Sequence, residues 1–377
     1  MKFETRCVQV GVSKTEQTGS ISTPIYQTAT FRHPGLGMTT GYDYSRSGNP
    51  TREQLEKAIA NLEQGSKGFA FASGMAAFDA VLRLFNPGDH LIVSDDLYGG
   101  TYRILEHIYS KTGLSVTYVD TTDVKEVERV VSSNTKAIII ETPSNPLMKI
   151  TDIQAVAKLA KKSNLMLIVD NTFMTPYWQC PLTLGADIVI HSATKYLGGH
   201  NDLVAGLAVV KDKSLGEQLY FIQNSVGSIL GPQDSWLLLR GMKTLSVRLE
   251  KSQQNAFEIA LWLKEHPKVS KVYYPGLVEH PGYELMKKNS NGFGGMVSFD
   301  VVDSALVEKV LFSLELITFA ESLGGVESLI TYPVKQTHAD IPQEIRESKG
   351  LTNRLLRLSV GIEHVNDLID DLDQVLS

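Results

Sequence analysis

From about residue 50 onward, short apolar runs recur along the chain, separated by segments with helical spacing. The runs at 69–72, 91–94, 115–119, 137–141, 165–170, 186–190 and 206–210 are rich in Val and Ile and nearly unbroken in apolar character. Strict alternation would mean one wet face; an unbroken run predicts a strand covered on both. Between the runs, apolar residues fall three and four apart, at Leu55, Ala58, Ile59 and Leu62 and again at Ile153, Val156, Ala157 and Ala160. Each of these helices opens on a Thr-x-x-Gln box, Thr51 to Gln54 and Thr151 to Gln154, which predicts the Thr as its cap. The alternation predicts an α/β fold with a mostly parallel, seven-stranded sheet and helices on both faces.

The pattern changes after about residue 235. A long helical stretch over 235–266 is broken only at Gly241, and a Pro/Gly-rich connection follows. A strand at 295–301, a helix around 305–314 and a strand at 355–360 then predict a smaller α+β unit. The expected organisation is an extended N-terminal arm over 1–46, a larger domain over 47–240 and a C-terminal α+β domain over 241–377.

Composition narrows the function classes. The 377 residues carry 42 acidic against 36 basic side chains, a net charge of −6, with no Lys/Arg-rich block. Nucleic-acid binding, which needs a phosphate-neutralising surface, is disfavoured. No apolar run reaches membrane-spanning length and the first residues hold no signal-peptide core, so a cytoplasmic protein is expected. Cys7 and Cys180 are too few for a disulfide framework and fit no zinc spacing. His191 and His200 form no HExxH and the chain has no GxSxG, so neither a metal site nor a hydrolase elbow is expected.

The candidate chemistry lies at strand ends. One apolar run ends on Asp170, and another delivers Lys195 into the glycine-flanked loop His191-Ser-Ala-Thr-Lys-Tyr-Leu-Gly-Gly-His200. Pyridoxal 5′-phosphate (PLP) needs such a pair, an amine to form a Schiff base with its aldehyde and a carboxylate to hold its ring nitrogen protonated. Ser73-Gly74-Met75 follows a short strand and opens a helix, where free amides and the helix dipole favour a phosphate; Ser192 and Thr194 add hydroxyls. Neither GxxxxGK[ST] nor GxGxxG is present. Tyr98 lies just past another strand end, placed to stack on a flat ring and offer its phenol for proton transfer. Singly, each feature has an ordinary structural explanation; their conjunction describes a cofactor site.

These residues and their neighbours resemble the Cys/Met-metabolism PLP enzymes of fold type I, which include cystathionine γ-synthases, cystathionine γ- and β-lyases, homoserine-ester sulfhydrylases and methionine γ-lyases. The likeness runs in order through Thr23-Pro-Ile-Tyr, Tyr42-Asp-Tyr-Ser-Arg46, Asp96-Leu-Tyr98-Gly-Gly-Thr, Glu141-Thr-Pro-Ser-Asn145-Pro, Val169-Asp170-Asn-Thr-Phe, Ser192-Ala-Thr-Lys195-Tyr, Glu321-Ser322-Leu-Gly-Gly and Arg357-Leu-Ser-Val-Gly. The resemblance implies that Lys195 carries the cofactor and shuttles protons, Asp170 pairs with its ring nitrogen, and Tyr98 stacks on it. Gly74, Met75, Ser192 and Thr194 would hold the phosphate, with Tyr44 and Arg46 reaching in from the neighbouring subunit. A homodimer, paired into a tetramer, is therefore implied. Arg357, Asn145 and Ser322 would bind the α-carboxylate of an amino-acid substrate, as a planar bidentate donor suits.

For the reaction, Asp43 and Glu321 align with positions that, in cystathionine-handling relatives, face the ammonium at the substrate's distal end. Gly100 departs from the methionine γ-lyase pattern, which has cysteine there. Asp43, the run His200-Asn-Asp-Leu and the stretch from Glu321 to Pro333 resemble cystathionine γ-synthases of Gram-positive type. The expected activity is replacement of the acyloxy group of an O-acyl-homoserine by cysteine, a step of methionine biosynthesis by trans-sulfuration. The alternative is a cystathionine γ- or β-lyase, and a binding or regulatory protein on the same fold is a third reading.

Overall fold

The computed structural model describes residues 1–12 and 18–377. Its larger sheet holds β1 (Lys67–Phe71), β2 (His90–Ser94), β3 (Ser115–Val119), β4 (Thr135–Glu141), β5 (Met166–Asp170), β6 (Ile188–Ser192) and β7 (Gly206–Val210). Spatial order is β1-β7-β6-β5-β4-β2-β3, and every strand is parallel except β7, which runs antiparallel to β1 and β6. All seven expected strands are present, with ends shifted by at most two residues. Their unbroken apolar character has the expected cause. In β5, Leu167 and Val169 enter one buried cluster while Ile168, between them, enters the cluster on the opposite face.

The helix starts differ from expectation. Pro50 occupies the first turn of helix Pro50–Leu62, so Asn49 is the cap, its Oδ1 accepting from the Thr51 and Arg52 amides at 3.0 and 3.4 Å. The Thr51 hydroxyl instead donates to the Pro24 carbonyl (2.9 Å) and accepts from the Tyr26 amide (2.9 Å), pinning the N-terminal segment. Likewise Asp152 caps helix Ile153–Lys162 through the Ala155 amide (3.1 Å), and Thr151 pairs with Thr121. The expected break at Gly241 falls at Lys243–Thr244, between helices Pro232–Met242 and Leu245–Glu265. Gly241 serves packing: a Cβ there would lie 2.2 Å from the Gly198 carbonyl oxygen, in the loop after Lys195.

A second sheet joins β8 (Val269–Tyr273), β9 (Met296–Val301), β10 (Thr318–Phe319), β11 (Leu329–Thr331) and β12 (Leu355–Ser359) in the order β10-β11-β12-β9-β8. Val297, Phe299, Leu356 and Leu358 pack there against Ile259 and Leu263 of the long helix and Leu368 and Leu372 of the C-terminal helix Val365–Leu376. The described part of the first 49 residues holds one short helix, Phe3–Val8, and otherwise extended or irregular chain; residues 13–17 of the expected arm lie outside the described residues. Among the described residues, no helix is long and apolar enough to cross a membrane.

Candidate active site

The carboxyl ends of β4, β5 and β6 and the loops beyond β1 and β2 surround a cavity of about 370 Å³, the place where open parallel sheets bind ligands. Glu321 and Ser322, from the connection between β10 and β11, and Arg357 of β12 close its other side. Lys195, Asp170, Tyr98, Gly74, Met75, Ser192, Thr194, Asn145, Ser322, Glu321 and Arg357 all line it. Eleven residues scattered over nearly three hundred positions thus share one space.

Lys195 donates from Nζ to Ser322 Oγ at 2.9 Å. Burial, then the positive charge of Arg357, push its pKa down to about 8, against a smaller opposing pull from Glu321. A neutral lysine amine is the nucleophile that captures an aldehyde. Cofactor uptake by cofactor-free protein should therefore rise with pH through about 8 and level off above it. Stopped-flow absorbance of PLP binding measures this; a profile still climbing through pH 10 would contradict it.

Asp170 ends β5 and stands opposite Glu141 in the β4–β5 register. Its Oδ1 accepts from the Thr172 amide at 2.9 Å. Burial raises its pKa, and the Thr172 hydrogen bonds oppose the rise. A buried carboxylate is stable only with a cationic or hydrogen-bonding partner, and a protonated ring nitrogen is one. Thr172 also accepts the Ser192 amide at 2.8 Å, locking the ends of β5 and β6 together.

At the opposite pole, Ser73 Oγ caps helix Gly74–Leu82 through the Ala76 amide (3.0 Å). The Gly74 and Met75 amides have no hydrogen-bond partner among the described residues. Gly74 lies so close to β6 that a Cβ would sit 2.9 Å from Ser192 Cβ, so only glycine lets this turn approach the strand. Thr194 reaches the cavity, but its hydroxyl is engaged with the Ala205 carbonyl (3.2 Å) and amide (3.0 Å).

Tyr98 immediately precedes helix Gly99–His107, with its ring over Gly100: a Cβ at 100 would lie 2.4 Å from Tyr98 Cε1. Burial, reinforced by the negative charge of Glu321, raises the phenol's pKa. Arg357 on β12 is almost fully buried, donating from Nη1 to Asn145 Oδ1 (2.7 Å) and from Nη2 to the Ser322 carbonyl (3.1 Å) and Thr331 Oγ1 (3.3 Å). Its Nε is buried without a partner, and burial lowers its pKa to about 10. Ser322, held at φ 142°, turns its carbonyl to Arg357 and its hydroxyl to Lys195; such a backbone typically costs about 1–3 kcal/mol and persists where function needs it.

PLP fits these residues. A depressed lysine amine, a partly buried carboxylate at the end of β5 and a pair of free helix-terminal amides match its aldehyde, ring nitrogen and phosphate. The orphaned Arg357 Nε leaves donor capacity for a substrate carboxylate.

Three expected site residues stand apart from this cavity. The Tyr44 ring is half exposed, with the Arg46 guanidinium 5.7 Å from its centroid. Asp43 lies 3.4 Å from His33 on the exposed arm. Glu141 and Thr337 are among the polar cavity groups that the sequence does not single out. Glu141 ends β4 on a carboxylate just as Asp170 ends β5, and that shared pattern was the available signal. Thr337 and its neighbour His338 come from a stretch without periodicity. The flanking histidines serve structure: His191 pairs with buried Glu63 at 2.7 Å, and His200 Nδ1 contacts the Gly198 carbonyl at 2.8 Å.

The family described as "Cys/Met metabolism PLP-dependent enzyme" matches residues 4–377. A cystathionine γ-lyase of Bacillus subtilis is 55% identical over 376 residues, covering 100% of this chain and 99% of its own. A cystathionine γ-synthase/O-acetylhomoserine (thiol)-lyase of the same organism is 54% identical over 373 residues, covering 99% and 96%. The crystal structure of a cystathionine γ-lyase from Lactobacillus plantarum complexed with L-serine is 50% identical and superposes with a TM-score of 0.97, covering 100% of this chain and 98% of that one.

Proposed function

Because this chain belongs to the Cys/Met metabolism PLP-dependent enzyme family, we propose that it is a cystathionine γ-synthase, joining an O-acyl-homoserine to cysteine. That it is a PLP-dependent trans-sulfuration enzyme follows from the family and its relatives. The finer reading rests on one juxtaposition: the Arg357 cation and the Glu321 carboxylate share the Lys195 cavity. A molecule with an α-carboxylate at one end and an ammonium at the other, as in the cystathionine that the synthase forms and a lyase cleaves, satisfies both.

Bound against Lys195, Asp170 and the Gly74 turn, the cofactor supplies an electron sink for the substrate's α-carbon. Arg357 and Asn145 orient the α-carboxylate, and Tyr98 takes a proton from the substrate ammonium. Lys195 removes the Cα proton and returns protons later, and Asp170 keeps the ring nitrogen's proton in place. In replacement, the Cγ–O bond to the acyloxy group breaks and the Cγ–S bond forms, while the thiol proton and the carboxylate depart. Tyr98→Phe should keep fold and cofactor but lower kcat about 10²-fold, the lower range for a lost acid–base group. Unchanged turnover would remove Tyr98 from proton transfer.

The second reading, cystathionine γ- or β-lyase, is favoured by the relative at 55% identity. Purified enzyme should be given O-acetyl- or O-succinyl-homoserine with cysteine, and separately cystathionine alone. Faster formation than cleavage of cystathionine supports the synthase; much faster cleavage replaces it with the lyase.

The outward-facing Tyr44 and Arg46 fit a role in a partner's site, in a dimer that pairs into a tetramer, with Asp43 of the same arm near the substrate's far end. Arg46→Ala and Lys195→Ala proteins, each inactive alone, should regain activity on subunit exchange. Random dimers would contain one intact site in each mixed pair, giving about a quarter of wild-type activity. No recovery despite demonstrated exchange would contradict a shared site.

A further inference from the structure

The peptide unit that leads into Tyr98 is held from both sides. Its amide donates to Glu141 Oε2 at 3.0 Å, and its carbonyl, that of Leu97, accepts from His338 Nε2 at 3.1 Å. The same His338 nitrogen lies 2.9 Å from the carbonyl oxygen of Asn145, whose side chain accepts from Arg357. Both oxygens can only accept, so Nε2 carries a hydrogen shared between them, and Nδ1 accepts from the Thr337 hydroxyl at 2.8 Å. His338 is buried, and burial together with the nearby Arg357 charge drives its pKa down to about 4, so the ring is neutral at ordinary pH. The segment bearing it is seated closely: a Cβ on Gly99 would lie 2.1 Å from the Thr337 carbonyl oxygen. One residue further back, Asp96 grips the same loop as Asn145, accepting from the Leu147 amide at 3.1 Å and from the Ser144 hydroxyl.

We propose that His338 is a positioning residue that ties the backbone of Tyr98 to that of Asn145, setting the ring-stacking and carboxylate-binding groups in register through one shared hydrogen. It touches neither substrate nor cofactor and acts through those two residues. The proposal rests on Tyr98 and the Arg357–Asn145 pair having the roles assigned above. Losing the donor leaves two buried carbonyls competing for nothing, which frees both loops at once. A purely local packing role predicts no such joint effect.

The test uses holoenzyme and glycine, which carries an α-carboxylate and amine but no leaving group. Glycine affinity is read from the shift of the cofactor's absorption band, and the seating of the ring from the circular dichroism of that band. His338→Leu removes the donor and should raise the glycine Kd about tenfold while also changing the cofactor dichroism. His338→Gln carries an amide with two hydrogens and should restore both readouts nearly to the parent values. If His338→Leu does not fold, His338→Asn, whose shorter amide reaches one carbonyl at most, takes its place. Parent-like behaviour of the donor-lacking variant, movement of only one readout, or a folded His338→Gln that behaves like His338→Leu each overturns the proposal. Arg357→Lys is measured alongside. If it leaves glycine affinity unchanged, the carboxylate assignment itself fails; if it weakens binding while His338→Leu does not, only the positioning role fails.

Discussion

Exchanging Lys195 for alanine is expected to lower turnover by about 10⁴-fold, the upper range for one acid–base group, and to abolish the absorption band of the lysine-bound cofactor. The size of the effect follows from how alone this amine is in its role. Tyr98 is assigned to the substrate ammonium and Asp170 to the ring nitrogen, so neither stands in for a base near 8 at Cα. The phosphate contacts proposed for Gly74 and Met75 do not involve Lys195, so the variant should still retain PLP, detectable after denaturation. Steady-state kinetics and absorbance check both parts; a variant that keeps more than a hundredth of wild-type turnover would show that another group moves the Cα proton.

Arg357→Ala should rank second. It removes the cation expected to meet the substrate carboxylate and strands the Asn145 side-chain oxygen, the Ser322 carbonyl and the Thr331 hydroxyl. Truncating one partner of a buried charged hydrogen bond costs about 2–5 kcal/mol, so kcat/KM should fall by about 10³-fold. A second consequence separates electrostatics from packing. The Arg357 charge helps hold the Lys195 pKa down, so its removal should move the midpoint of PLP capture above pH 8. An unmoved midpoint would mean that burial alone sets the lysine's pKa.

Why some of this was legible in the sequence and some was not has physical reasons. Strands β2 and β4 to β7 stood out because both their faces are covered, leaving their central positions apolar, whereas edge strand β3 carries Thr117 at its centre. Strand β8 escaped notice because it is an edge strand with Ser270 and Lys271 exposed and a β-bulge between Val269 and Lys271. The caps fall two residues before Thr51 and one residue after Thr151, since Pro50 and Ile153 each start a helix right behind a better capping side chain, Asn49 and Asp152. Lys195, Asp170 and Gly74 declared themselves by falling at strand ends. Glu141 followed the same rule and was passed over because a lone strand-end glutamate names no partner. His338 offered no signal at all, as its partners are two backbone carbonyls more than a hundred and ninety positions away. Tyr44, Arg46 and Asp43 came from the family resemblance, and a single chain leaves them outside the cavity.

The central claim is that the cofactor is joined to the ε-amino group of Lys195. Borohydride reduction of the yellow holoenzyme, followed by proteolysis and mass spectrometry of the peptides, tests it directly. The account predicts bleaching and a single pyridoxyl-phosphate tag on the peptide containing Lys195. A tag on another lysine, or none on folded, cofactor-loaded protein, would contradict it.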